Sequence, residues 1–390
     1  MGDYMIRSKV FIGFLSLLFA QCAFANPKPG NHKDSLPAGF YNNAEGSPIL
    51  ELINGAKRSL AIEIYEMDDP AVLAAIRGAL GRGVKVQIVK EPAPVGKSCH
   101  VFDSGGTDDA SCNDQRQLVL DVQAAGGSYV PFDKSAFCTN GKGCLEHGKI
   151  VISDNQLAML STGNFNATNL CDLAAAPATC NRDYSYIIQD RNLVSRLGQI
   201  VALDAKGDYY DLSTILAGAE TLITVSPLSL DPLVTFIRSA RESIDVENQY
   251  LNEPTINQAL IEAARRGVRV TLTVSSACSF GKPSASEIRK TTSIYSAFDA
   301  AGISSRMFTK NNLVNGMPGY LHAKSIVVDG TRAWLGSVNG STQAATANRE
   351  FGVFFNTSSD VQRMASIMAA DHISQASESW QDSLDCAERN

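Results

Sequence analysis

His147-Gly148-Lys149 and His322-Ala323-Lys324 place an imidazole and an ammonium two residues apart, twice, in a chain with five histidines. An Asp follows each lysine by five residues, Asp154 and Asp329, so both copies read H-x-K-x-x-x-x-D. Ten residues beyond each Asp stands an Asn, Asn164 and Asn339, preceded two positions earlier by the hydroxyls of Thr162 and Ser337. On a strand, positions i and i+2 share a face, so each His-Lys pair points one way. The aspartates come at the far strand end, better placed to hold backbone or neighbouring groups than to touch a substrate. Brought together, the two copies offer two imidazoles, two ammonium groups, two amides and two hydroxyls. That set suits a tetrahedral phosphate, the lysines supplying charge and the amides and hydroxyls directional hydrogen bonds. One neutral imidazole can attack phosphorus while a protonated one donates to the leaving oxygen. Both states are accessible near neutral pH. Asp183 and Glu350, in the segments NRD and NRE, are the carboxylates expected to accept each imidazole's other N–H and fix its orientation. The remaining histidines, His32, His100 and His372, stand outside any such pattern and read as structural or surface residues. Zinc is a poor alternative: the lysines would repel it, and no H-E-x-x-H or carboxylate cluster accompanies the histidines.

The elements around these residues are also written twice. PILELINGAKRSLAIEIYEMDDPAVLAAIRGALGRGVKVQIV at 48–89 lies over 232–274, pairing Ser59 with Ser243, Glu63 with Glu247 and Pro70 with Pro254. NRDYSYII at 181 lies over NREFGVFF at 348, and the same offset carries Asp204 onto Asp371. Within a half, helical spacing at 48–57 and 70–81 alternates with β-rich runs at 60–65 and 84–89. A helix at 113–127 ending in glycines, the short strands KIVIS and LAML, and a closing helix over 192–203 complete the unit. Helices alternating with strands mean an α/β layered unit. Two such units, 26–205 and 206–390, are expected to pack as a pseudo-dimer within a single chain.

Residues 1–25 carry Arg7 and Lys9, an apolar run and Ala23-Phe24-Ala25, the layout of a cleaved signal peptide. The mature chain is therefore expected to be exported, periplasmic or secreted. Setting Cys22 aside leaves eight cysteines, an even number that reads as disulfides in an exported chain, with sequential neighbours the simplest pairing. Six of them fall in stretches that only the first half carries, so they mark added loops. The formal charge of −6 and the absence of a Lys/Arg block count against non-specific DNA binding, without excluding a local basic pocket.

HGKIVISD and HAKSIVVDGTRAWLGSVN resemble the paired motifs of the phospholipase D superfamily, and the resemblance covers nearly the whole mature chain. The first copy departs only at Ser161-Thr162, where the second has Gly336-Ser337. The resemblance implies two mixed β-sheets packed together with helices outside and the site at their interface. It implies a metal-independent phosphodiesterase working through a covalent phosphohistidine, with no cofactor, and released by water or an alcohol. By that analogy His147 attacks and His322 protonates the leaving group, while Lys149, Lys324, Asp154 and Asp329 complete the catalytic set. Thr162, Asn164, Ser337 and Asn339 would bind phosphate.

The superfamily includes lipid hydrolases, transphosphatidylases and nucleases. A phospholipid surface is the expected substrate here, with nucleic acid the alternative. The lipid expectation rests on net acidity and on Met307, Phe308, Leu313, Val314, Met317 and Tyr320 before His322, which would make an apolar rim. The nuclease alternative rests on Lys282, Arg289, Lys290 and Lys310, a sparse basic group. A binding protein that has lost catalysis fits poorly, since both His-Lys pairs are intact.

Overall fold

The computed structural model describes residues 36–103, 109–138, 143–171 and 178–386. The expected signal peptide and Cys22 lie outside the described residues. The first half runs β1 (Gly39–Asn42), α1 (Ile49–Gly55), β2 (Ser59–Ile64), α2 (Pro70–Gly81), β3 (Lys85–Lys90), α3 (Ala110–Ala124), β4 (Ser128–Pro131), α4 (Lys134–Phe137), β5 (Lys149–Ser153), β6 (Leu157–Ser161), β7 (Tyr184–Ile188) and α5 (Arg191–Asp204). The second runs α6 (Leu212–Leu216), β8 (Ile223–Val225), α7 (Leu230–Arg238), β9 (Ser243–Asn248), α8 (Pro254–Arg265), β10 (Arg269–Ser275), α9 (Ala285–Ala300), β11 (Ser304–Phe308), β12 (Lys324–Val328), β13 (Arg332–Gly336), α10 (Thr342–Thr346), β14 (Phe351–Phe355) and α11 (Ser358–Ile373).

The strands form two seven-stranded sheets of identical order, β1-β7-β6-β5-β2-β3-β4 and β8-β14-β13-β12-β9-β10-β11. Within each, three strands joined through helices run parallel and the hairpin-linked strands run antiparallel, so both sheets are mixed. Local chemistry sets the same boundaries in both copies. Asp69 caps α2 by accepting from the N–H groups of Ala71 and Val72, Glu253 caps α8 by accepting from Ile256, and each helix opens on a proline.

Apolar residues collect in three large clusters. One lies under α1 to α3 on the first sheet, and its counterpart lies under α7 to α9 on the second. The third is central, joining Ile150, Leu160 and Tyr184 to Val327, Leu335 and Phe351, together with residues of α5, α6 and α11. The sheets therefore face one another across a shared core. α5 and α11 each lay one buried face into that central cluster and expose the other.

Four disulfides join sequential cysteines: Cys99–Cys112, Cys138–Cys144, Cys171–Cys180 and Cys278–Cys386. They fit an oxidising compartment. No described helix is long and apolar enough to cross a membrane.

Candidate active site

Lys149 begins β5 and Lys324 begins β12, so both His-Lys pairs sit where these central strands enter their sheets. What brings the pairs together is the N-R-[D/E] tripeptide, whose three side chains all act across the boundary between halves. Asn348 Oδ1 accepts from the N–H of Leu145, and Asn181 Oδ1 accepts from the N–H of Tyr320. Arg349 pairs with Asp204 at 2.8 Å, and Arg182 grips Asp371 through two bonds of 2.7 and 3.0 Å. His147 Nδ1 lies 2.9 Å from Glu350 Oε2, and His322 Nδ1 lies 2.9 Å from Asp183 Oδ1. Main-chain bonds repeat the exchange, His147 N–H donating to the Arg349 carbonyl and His322 N–H to the Arg182 carbonyl. Each half thus orients the other half's histidine, and neither half holds a complete site. With Nδ1 committed, Nε2 is the nitrogen each ring presents to a substrate.

The site is buried, and its charges respond to that. Burial pushes the His322 imidazole down to about 4, helped by Lys324 and opposed by Asp183. Burial lowers His147 as well, with Glu350 opposing it. Lys324 falls to about 7 through burial, against the pull of Asp183 and with Lys149 pushing the same way. Asp183 ends below its ordinary value: burial raises it, but His322, Lys324 and the Thr162 hydroxyl outweigh that. Each lysine ammonium donates to the carbonyl of its own histidine, which fixes the pair as a unit.

Asp154 and Asp329 are not part of this cluster, and their placement corrects the expectation that they are catalytic. Five residues of strand put them roughly 16 Å from the lysines. Both occupy hairpin turns at φ 55° and 54°, a conformation Asp tolerates. The Asp154 carboxylate accepts from the N–H groups of Lys57, Arg58 and Ser59, and Asp329 from those of Arg241, Glu242 and Ser243. They tie β2 and β9 to the hairpins that carry the site.

The hydroxyls are likewise engaged elsewhere. Thr162 donates to Asp183 at 2.6 Å and accepts from the Tyr184 N–H, while Ser337 accepts from the Phe351 N–H at 3.0 Å. They brace the carboxylate strands, which leaves the lysines, the histidines and the amides as the donors free to face a ligand. Asn164 and Asn339, both buried, can donate only through their side-chain NH2 groups, which make no hydrogen bond among the described residues. Gly163 is required because a Cβ there would come within 2.8 Å of the Asp183 carboxylate.

Several residues of the site carry no repeat signal. Asn169, beside the Cys171–Cys180 loop, donates to Asp183 and lies 3.3 Å from His322 Nδ1. Tyr65 sets its ring edge against His147 at 4.8 Å, and Tyr320 sets its own against His322 at 5.8 Å. Phe280, 53% exposed, packs on Tyr320. Of the expected apolar rim, Met307, Phe308 and Val314 are buried, Met317 and Tyr320 are half-buried, and only Leu313 is exposed. The buried ones anchor their segment in the interior rather than facing outward. Among the described residues no group of three or more His, Cys, Asp or Glu is arranged to hold a metal ion.

The family described as "Cardiolipin synthase, PLD-like domain" matches residues 49–203 and again 233–372. The chain belongs to the phospholipase D superfamily. No curated protein matches this superfamily member in sequence. Among solved structures, it is similar to phosphatidylserine synthase of Haemophilus influenzae Rd KW20 at 15% identity and a TM-score of 0.59, over 87% of this chain and 86% of that one. It is also similar to polyphosphate kinase of Porphyromonas gingivalis at 14% identity and a TM-score of 0.55, over 83% of this chain and 48% of that one. At such identities the likeness is one of fold, and the superfamily's enzymes act on phosphodiesters and related phosphoryl groups, which is the level at which this chain's activity stands.

Proposed function

We propose that the protein is a metal-independent phosphodiesterase of the phospholipase D type, hydrolysing glycerophospholipids to phosphatidic acid and a free headgroup. The observation that carries the chemistry is the crossed pairing of His147 with Glu350 and His322 with Asp183. His147 Nε2 attacks phosphorus, forming an N–P bond as the P–O bond to the headgroup breaks. His322 gives its proton to the departing alkoxide. Water then enters from the same side: its oxygen bonds to phosphorus, it gives a proton to the now neutral His322, and the N–P bond to His147 breaks to release phosphatidic acid. Lys149 and Lys324 hold the non-bridging oxygens, and Asn164 and Asn339 orient them. The two halves act within one monomer.

A lipid substrate is supported by exposed apolar side chains on the loops around the histidines. Val95 donates its N–H to the hydroxyl of Tyr65, which touches His147, and its side chain is 73% exposed. Tyr250, Phe280 and Leu313 are exposed on the other half. Both halves thus carry exposed apolar side chains, Val95 and Phe280 beside the tyrosines that touch the histidines, and these would meet the acyl chains of a membrane surface. A nuclease is the second reading, because Lys282, Arg289, Lys290 and Lys310 are all exposed and Phe280 could stack on a base. Export through a cleaved signal peptide at 1–25 would place either activity in the periplasm or outside the cell.

Mature protein, with EDTA present, would be given phosphatidylcholine/phosphatidylethanolamine vesicles in one reaction and single- and double-stranded DNA in another. Phosphatidic acid without DNA cleavage is expected. DNA cleavage without phosphatidic acid would replace the lipid reading with the nuclease one, and activity requiring added metal would overturn the mechanism.

A further inference from the structure

The duplication allows the same space to be compared in both halves. Between α2 and α3, Arg77 fills the space, donating to Asp114 at 2.7 Å and to Asp121 at 2.9 Å. The corresponding positions between α8 and α9 hold Ile261, Lys290 and Ala297, so no arginine and no carboxylates close the gap. A cavity of about 430 Å³ opens there, the size of a small-ligand site. Its polar lining comes from Asn252, Asn257, Gln258, Ser293 and Lys290. Asn257 stands where the first half has Leu73. Its side chain is only 8% exposed, and its oxygen has no hydrogen-bond partner among the described residues. That oxygen is closed to solvent, so a ligand in the open cavity would meet Asn257 through its side-chain NH2 group. The exposed Lys290 ammonium makes no ion pair among the described residues and supplies positive charge at the rim. The cavity also adjoins the site, since the N–H groups of Asn252 and Glu253 donate to the carbonyl of Gly340, the residue after Asn339.

We propose that the α8–α9 cavity binds a phosphate carried on a polyol, Lys290 pairing with the phosphate and Asn257, Asn252 and Ser293 bonding its hydroxyls. The source of that group is either a soluble polyol phosphate or the phosphorylated headgroup of a lipid. No histidine or lysine of the active site lines this cavity, so its test does not depend on the catalytic assignment.

The mature protein would be titrated calorimetrically with glycerol 3-phosphate, and separately sedimented with phosphatidylcholine vesicles containing phosphatidylinositol 4-phosphate. Two variants close the cavity as the first half does: Ile261→Arg with Ala297→Asp, and Asn257→Leu. Hydrolysis of the small diester bis(p-nitrophenyl) phosphate, which need not enter the cavity, is read in parallel and is expected to match wild type in both. Saturable binding of glycerol 3-phosphate, weakened at least tenfold by either variant, supports a soluble ligand. Vesicle binding lost in the same variants supports a headgroup. Binding to neither probe, or binding that both variants retain, overturns the proposal. Absence of diester hydrolysis in the wild type would count against the proposed function and leave the binding result to be read by itself.

Discussion

His147 and Glu350 are 203 residues apart in sequence and 2.9 Å apart in space, one from each half of the duplication. Asp183 and His322 repeat the relationship in the opposite sense at 2.9 Å. The carboxylates hold the ring orientation and favour the imidazolium that forms during proton transfer. Glu350→Gln and Asp183→Asn keep the shape and remove that charge. Each is expected to lower kcat by about 10²–10⁴, the range of a general acid–base contribution, with little change in Tm. A kcat within threefold of wild type in both variants would remove the orienting role.

The roles of the two histidines separate on leaving-group chemistry. A p-nitrophenolate leaves without a proton, so His322→Ala should still release a burst of p-nitrophenol from a p-nitrophenyl phosphodiester and accumulate an acid-labile phosphoenzyme. His147→Ala should give neither burst nor phosphoenzyme, because the nucleophile is gone. Neither variant should turn over a phospholipid, whose alkoxide needs the acid. A burst in His147→Ala and none in His322→Ala would exchange the assignments.

The pH dependence follows from burial. The proposed reaction requires one imidazole neutral and the other protonated, and both are lowered in the free enzyme, His322 to about 4. The reactive population therefore peaks below the ordinary histidine value of 6.5. Lys324, lowered to about 7, loses its charge on the alkaline side and steepens the fall. kcat/KM on a soluble diester with an alkoxide leaving group is expected to be highest in mildly acidic buffer and to decline from pH 6, by up to about tenfold per unit to pH 7 and by up to about a hundredfold per unit beyond it, where Lys324 also titrates. A plateau extending above pH 8 would contradict this.

The repeat makes most of this arrangement legible in the amino-acid sequence. Ser59 over Ser243 and Pro70 over Pro254 set the elements in register, and the strands KIVIS and LAML fall where alternation puts them. The His-Lys pairs and the N-R-[D/E] tripeptides stand out as matched positions. The crossing of the tripeptides between halves does not, since equal spacing in two copies does not say which copy a side chain reaches. Asn169 is silent in sequence because its counterpart position in the second half is Ala344, so it belongs to no repeat. The aspartates of the motif mislead only through the resemblance: their place at the strand end already reads as one that holds backbone, and the recurring need is a hairpin turn and three backbone N–H groups. The apolar run 307–320 misleads because composition alone does not distinguish a loop facing solvent from one pinned inward. Gly319 shows the pinning, as a Cβ there would overlap the Cys180 carbonyl.

Beneath the site, Glu247 accepts from the Tyr184 hydroxyl at 2.7 Å and is pushed up to about 8, chiefly by burial and then by Asp371. Its folded value stands above its ordinary 4.5, so the neutral carboxyl contributes stability that is complete below 4.5 and is lost as pH rises through 8. Glu247→Gln keeps a neutral group of the same shape and does not titrate. Between pH 5 and 8 the variant's stability relative to wild type should rise by up to about 1.4 kcal/mol per unit, and then stay level. Denaturant melts across that range check it, and parallel curves for the two proteins would show that Glu247 is ionised throughout.

The disulfides differ most in the length of chain they close. Cys278–Cys386 spans 108 residues and Cys138–Cys144 spans 6. In the chain-entropy account, losing the first removes about 4.7 kcal/mol and losing the second about 2 kcal/mol. The first also ties the segment after β10 to the chain's end, where Cys278 Sγ lies 3.1 Å from the Ser383 carbonyl. Paired Cys→Ala variants at 278 and 386 are expected to lower Tm roughly twice as much as those at 138 and 144. The two pairs should also differ in their effect on the site: Cys138–Cys144 lies in a cluster with Phe132 and Val89, on the first half's flank, while Cys278 lies within the 3-10 turn Ala277–Phe280 that sets Phe280 against Tyr320. Loss of Cys278–Cys386 should therefore raise KM for vesicles with kcat for a soluble diester little changed. An equal fall in Tm for both pairs, together with an unchanged vesicle KM, would show that neither loop length nor the Phe280 turn matters as argued.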